Sequence, residues 1–129
     1  MQQHTDTVPA IQDVRPFVGS LDFDVSRDFY LALGWQLAYD SENLRLMSLG
    51  SHSFYLQKYY QEEWCNNTML HISVLDIAKW YAFVNESFSA NQLHEHGRIS
   101  GEPKDEGYGQ VFYVWDPAGV LIHIAQFHE

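Results

Sequence analysis

GYGQVFYVWDPAGVLIHIAQF, residues 107–127, carries the reading from which the rest of the fold follows. Two β-branched and aromatic runs, Val111 to Trp115 and Val120 to Phe127, flank Asp116-Pro117-Ala118-Gly119. Those four residues suit a type I turn: Asp caps the first position, Pro presets φ at the second, and Gly occupies the fourth. The stretch predicts a β-hairpin. A histidine, His123, stands in its second strand among apolar neighbours.

Working outward, the 129 residues amount to one domain's worth of chain, or two small modules sharing a core. Hydrophobic content of 46% and aromatic content of 16% exclude a disordered chain. No apolar run approaches the roughly 18 residues that a membrane span requires, so a soluble protein is expected. Met1 to Ala10 has neither a basic nor an apolar signal region, and Cys65 is alone, which together lead us to expect a cytoplasmic location. The formal charge is −10, from 7 Lys plus Arg against 17 Asp plus Glu. That field argues against nucleic acid and anionic membranes as partners and concentrates cations near any concave site.

Residues 1–12 read as a polar arm. Val14 to Leu21 suits a strand, then Asp22 and Asp24 offer N-caps to a helix over Val25 to Leu33 that Gly34 ends. Trp35 to Asp40, Leu44 to Leu49 and Phe54 to Tyr59 read as strands, making the first half β-α-β-β-β. After a polar connector at 61–67 the order restarts. Met69 to Leu75 is a strand, Asp76 caps a helix from Ile77 to about Phe88, Leu93 to Ile99 holds a short strand, and a Gly- and Pro-containing loop at 100–109 leads into the hairpin. The expected modules are 14–60 and 68–127, similar in pattern rather than in residue identity.

The fold class expected is α+β, with two βαβββ modules forming a cupped mixed sheet and the helices outside. Strand alternation then assigns faces. Leu70, Ile72, Val74, Val120, Ile122 and Ile124 form the helix-facing set. Met69, His71, Ser73, Leu121, His123, Ala125 and Phe127 turn into the cleft, as do Arg15, Phe17, Gly19, Tyr55, Gln57 and Tyr59. His71 and His123 suit either a hydrogen bond to a neighbour or the orientation of a ligand. Arg15 suits an anionic group or a snorkelling strand end. His94 and His96 share a face if they lie in a strand, Cys65 has no activating motif, and Trp80 to Phe88 reads as helix core or dimer contact. Tyr108, Tyr113 and Trp115 flank the long loop and suit either the lining of the cleft or ordinary strand packing.

FVGSLDFDVSRDFYLALGW at Phe17 to Trp35 and the closing GYGQVFYVWDPAGVLIHIAQF together resemble the vicinal oxygen chelate superfamily, the glyoxalase, bleomycin-resistance and extradiol dioxygenase group. The resemblance covers residues 14–127 and implies paired βαβββ modules, a ligand cleft and a homodimer. Metal-dependent members carry His, Gln or Glu at positions that correspond here to Arg15, Tyr55, Met69 and His123, of which only His123 is a competent ligand. A register shift of two would add His71. The resemblance therefore implies the metal-free bleomycin-resistance branch, without metal or cofactor. It points to a binding protein that sequesters a cationic or aromatic small organic molecule, with Arg15, Phe17, Tyr55, Gln57, His71, Tyr113 and His123 as the ligand-binding residues. The alternative within the superfamily is a metal-dependent lyase, isomerase or dioxygenase using His71 and His123. A third reading is a regulatory module whose cleft is filled by its own side chains.

Overall fold

The structure, a computed structural model, describes residues 7–129. The part of the polar arm at 1–6 lies outside the described residues, and residues 9–16 run without helix or strand.

The first module is β1 (Phe17–Val18), α1 (Phe23–Ala32), β2 (Gln36–Asp40), β3 (Leu44–Leu49) and β4 (His52–Gln57). Its strands lie in the order β1-β4-β3-β2, with β1 parallel to β4 and the other pairs antiparallel. A one-turn helix, α2 (Glu62–Cys65), stands in the connector, and then come β5 (Met69–Ser73) and α3 (Ile77–Ala90). Beyond a 3₁₀ turn at Leu93–Glu95, β6 (Arg98–Ile99), β7 (Lys104–Asp105), β8 (Gly109–Trp115) and β9 (Leu121–Phe127) complete the chain. The second sheet has the order β5-β9-β8-β6, with β7 also on β8, and again its first strand lies parallel to its last. The topology of the first module is thus repeated, with β7 added.

Local chemistry explains the ends of these elements. Asp22 caps α1 by accepting from the backbone N–H groups of Asp24 and Val25, so the helix begins two residues before the expected Val25. Asp76 caps α3 by accepting from Lys79 N–H. The hairpin turn forms as expected. Gly119 N–H donates to the Asp116 carbonyl at 3.0 Å, and the Asp116 carboxylate accepts from Ala118 and Val120 N–H at 2.8 and 3.0 Å. Gly119 sits at φ +97°, where a side chain would be strained and would also strike the Asn66 amide.

Three expectations from the sequence need correction. The strand expected from Val14 to Leu21 is only Phe17–Val18, because Pro16 has no N–H to donate and only its carbonyl reaches Tyr55 N–H. Within the connector at 61–67, α2 buries Cys65 against the sheet and sets Trp64 over Gly19, a position expected to face the cleft. A Cβ on Gly19 would lie 2.7 Å from the Trp64 ring and 2.8 Å from the Tyr59 carbonyl, so this position is covered rather than open to a cleft. The segment from His94 to His96 enters a 3₁₀ turn instead of a strand, and His94 packs edge-on to Phe88 at 4.9 Å.

Buried residues of both modules join one hydrophobic cluster. Phe29 of α1 meets Phe88 of α3 edge to face at 5.8 Å. Beside them the Tyr30 hydroxyl donates to the Asp116 carboxylate at 2.7 Å, a bond between residues 86 apart in sequence, both nearly inaccessible to water. Burial pushes the Asp116 carboxyl up, opposed by the hydrogen bonds from Tyr30 and the turn N–H groups. Burial, then the adjacent Asp116 charge, raises Tyr30 well above the ordinary phenol range. The pair links α1 to the turn of the final hairpin.

Candidate functional site

The pleat sorts the sheet residues as the alternation requires. Val18, Leu56, Ile122 and Ile124 are buried beneath the helices, whereas Phe17 and Phe127, on the other parity, are 47% and 51% exposed. Ala125 is an exception: it has cleft-facing parity but is fully buried, so the open face does not extend over it.

On the second sheet, register makes neighbours of residues far apart in sequence. His71 pairs with His123 across the parallel β5–β9 ladder, and Tyr113 pairs with His123 across the antiparallel β8–β9 ladder. The two imidazoles stack with centroids 6.1 Å apart and planes at 29°. Phe127 stacks on His71 at 5.5 Å, Tyr108 packs on Phe127 at 5.4 Å, and Tyr113 stands edge-on to His123 at 5.1 Å. Tyr113 also meets Trp115 at 6.3 Å, whose other contact is the Arg98 guanidinium, 3.6 Å from the ring centre. The rings form a platform across three strands beside a hollow of about 400 Å³ floored by Met69, Leu70, His71, Tyr108, His123 and Phe127.

The remaining expected site residues form a separate group. Phe17 and Tyr55, register partners on β1 and β4, stack at 4.9 Å. Arg15 donates to the Tyr55 hydroxyl at 3.0 Å and to Asp13 at 3.1 Å, so its guanidinium is engaged within the chain. Gln57 lies towards α2, in a hollow shared with Tyr59, Gln61 and Trp64. Among the described residues no ring contact joins the Phe17–Tyr55 pair to the His71–His123 platform. Tyr108 and Phe127 are platform members outside the expected ligand-binding set. Alternation does assign Phe127 to the open face, but Tyr108 reaches the group from the loop before β8, where no period applies.

Electrostatics favour the neutral forms of His123 and Tyr113. Partial burial, followed by repulsion from His71, lowers the His123 pKa below the usual imidazole value. Burial, then Glu106 and Tyr108, raises Tyr113. Cys65 is fully enclosed, and burial raises its thiol pKa, which makes it a packing residue rather than a nucleophile.

The donor set fits a divalent metal poorly. Arg15 has no lone pair to offer, the Tyr55 hydroxyl is engaged by Arg15, and Met69 is a soft thioether, leaving His71 and His123. Among the described residues no group of three or more His, Cys, Asp and Glu side chains is placed to hold a metal ion.

A larger hollow, about 710 Å³, lies elsewhere, between the start of α1 and the β2–β3 turn. Its wall is an internal ion network: Arg45 donates to Asp40, to Asp24 and to the Phe23 carbonyl at 2.8, 2.8 and 2.9 Å. That arrangement fastens α1 to the sheet edge.

With this geometry in view, solved structures share the fold. The bleomycin-binding protein of the bleomycin producer Streptomyces verticillus, solved with copper(II)-bleomycin, superposes with a TM-score of 0.77 at 16% identity, over 94% of this chain and 100% of that one. A bleomycin resistance determinant encoded on a transposon gives 0.74 at 19% identity, over 92% and 100%. An antibiotic-binding protein from Streptomyces sp. CB03234 gives 0.72 at 20% identity, over 94% and 100%. No protein-family model and no curated protein sequence matches the chain. The fold is that of the glyoxalase and bleomycin-resistance group, with small antibiotic-binding proteins among its structural neighbours.

Proposed function

We propose that the protein is a homodimeric binding protein that sequesters a cationic, planar aromatic molecule without a metal of its own. The observation that carries this reading is the ring platform of His71, His123, Tyr113, Phe127 and Tyr108, open on one face of the second sheet. Ring faces attract planar groups by stacking and cations by their quadrupole, at about 0.5 to 2 kcal/mol per cation contact. Micromolar affinity needs about 8 kcal/mol, so several such contacts must act together. The net charge of −10 attracts a cation from a distance. The structural neighbours named for bleomycin or antibiotic binding support the same class of ligand. Phe17, Tyr55, Arg15 and Gln57 belong to the other sheet and would join the site when a second subunit brings that face across the platform.

Trp115 beside Tyr113 supplies an optical readout. Titration with bleomycin should give a saturable change in tryptophan fluorescence at micromolar ligand, lost in Tyr113→Ala. A flat titration would exclude bleomycin-type ligands. The adjacency of His71 and His123 supports a second reading, a metal-assisted enzyme with further ligands supplied by a partner. Elemental analysis of untagged protein tests it, and metal far below one equivalent per chain would remove it.

A further inference from the structure

The helix side of the molecule holds a hollow that the ring platform does not reach. Between the end of α1 and the first turns of α3 it encloses about 360 Å³, walled by Gly34, Leu49, Lys79, Trp80 and Phe83. That volume falls within the roughly 300 to 1,000 Å³ of small-molecule sites. Leu49 shares strand parity with Met47, which is buried beneath the helices, so the hollow opens on the opposite side of the sheets from the platform. Gly34 ends α1 in the left-handed region at φ +100° and puts no side chain into this space. A Cβ there would lie 3.5 Å from the Phe83 ring and 4.0 Å from Leu49, so the bare backbone keeps the floor open. Trp80 and Phe83, three apart on one face of α3, stand edge to face at 5.7 Å, and Phe83 is 43% exposed.

The charge of this hollow is the reverse of the chain's. No carboxylate lines it, and Lys79 is its one ionisable wall residue. Asp76, three residues before Lys79, turns its carboxylate to the Lys79 N–H as the helix cap. Arg15, Arg27 and Arg45 are each paired with carboxylates, whereas the Lys79 ammonium enters no salt bridge among the described residues. Lys79 also lies in the first turn of the 14-residue α3, where the helix dipole adds to the positive potential.

From these features we infer that the hollow is a second binding site, for a free aromatic carboxylate of one or two rings. The ring packs against Trp80, Phe83 and Leu49, and the carboxylate meets the Lys79 ammonium at the rim. The aromatic pair selects a planar body, and the lone cation selects an anion on a chain whose net charge of −10 repels anions elsewhere. This preference is opposite in sign to that proposed for the platform, so the two sites stand or fall separately.

The test titrates the full chain by calorimetry with indole-3-acetate and with its uncharged counterpart, indole-3-acetamide. The acetate should bind saturably with a Kd below about 1 mM. The acetamide should bind about fivefold more weakly, the upper range for a solvent-exposed ion pair. Lys79→Gln should bring the acetate to the acetamide's affinity, and Phe83→Ala should weaken both ligands. Both side chains are exposed, and unchanged thermal melting confirms that the variants are folded. No saturable heat with the acetate up to about 5 mM would overturn the site. So would an acetate-to-acetamide ratio that Lys79→Gln leaves unchanged. Binding lost in Tyr113→Ala but kept in Phe83→Ala would put the ring on the platform instead and overturn it equally.

Discussion

The two modules repeat one strand order yet use the face away from their helices in opposite ways. In the first, polar groups satisfy one another: Arg15 is held by Asp13 and Tyr55, and Trp64 of the short connector helix covers Gly19. In the second, among the described residues, the side chains of His71, His123 and Tyr113 make ring contacts but no hydrogen bond within the chain. Their polar tips are left for water or a ligand. A repeated topology supplies two similar scaffolds, and the side chains placed on them decide which face is closed by its own contacts and which is left open.

The largest expected effect concerns the link that lets two unlike modules act as one unit. Asp116→Ala removes the acceptor for Tyr30 and for two turn N–H groups and should lose about 3 kcal/mol or more. Tyr30→Phe leaves the turn bonds in place and should lose about 1 to 3 kcal/mol. Urea denaturation measures both. Separate transitions for the two modules in either variant would show that this bond couples them, whereas a single transition at unchanged midpoint would remove it from the account.

Gly19→Ala asks how firmly the first face is closed. The added methyl group must displace Trp64 or the backbone at Tyr59, at a cost of about 1 to 3 kcal/mol. Thermal melting checks this, and an unchanged melting temperature would mean that the covering helix yields freely.

Ligand binding should then divide the faces. His71→Ala, Tyr113→Ala and Phe127→Ala should each weaken bleomycin binding about tenfold, about 1.4 kcal/mol, by calorimetric titration. Phe17→Ala should cost less than these. Equal losses on both sides would show that the two faces contribute equally to one site, and the platform would no longer be its main element.

The smallest effect is electrostatic. Because His123 has a lowered pKa in the folded protein, the unfolded chain binds the proton first as pH falls. Its contribution to stability is therefore lost from the unfolded imidazole value, about 6.5, down to the folded one, and regained as pH rises. Denaturation midpoints measured from pH 5 to 7.5 should show a smaller pH slope for His123→Gln. Protonation also opposes a cation on the platform, so bleomycin affinity should fall in acid.

Much of this was legible in the residues. Asp22 and Asp76 marked the helix starts, Asp116 to Gly119 marked the hairpin, and period-two alternation set Phe17, Tyr55, His71 and His123 on one side and Val18, Leu56 and Ile122 on the other. These are local signals, each settled by residues a few positions apart. Less legible were β1, cut short because Pro16 pairs only through its carbonyl, and the 3₁₀ turn at Leu93–Glu95. The ion network of Arg45 also could not be read locally, since its partners Asp24 and Asp40 lie on different elements.

The sequence by itself determined the order of the elements, the two caps, the closing turn and the side of each strand on which a residue lies, because the pleat and the turn are short-range geometry. Only the tertiary structure decided which of those residues meet. Parallel pairing of β5 with β9 brought His71 to His123, while β1 and β4 kept Phe17 and Tyr55 as a separate pair. That division comes from register between strands distant in the chain, and from side chains such as Trp64, Arg15 and Tyr30 whose partners no local period specifies.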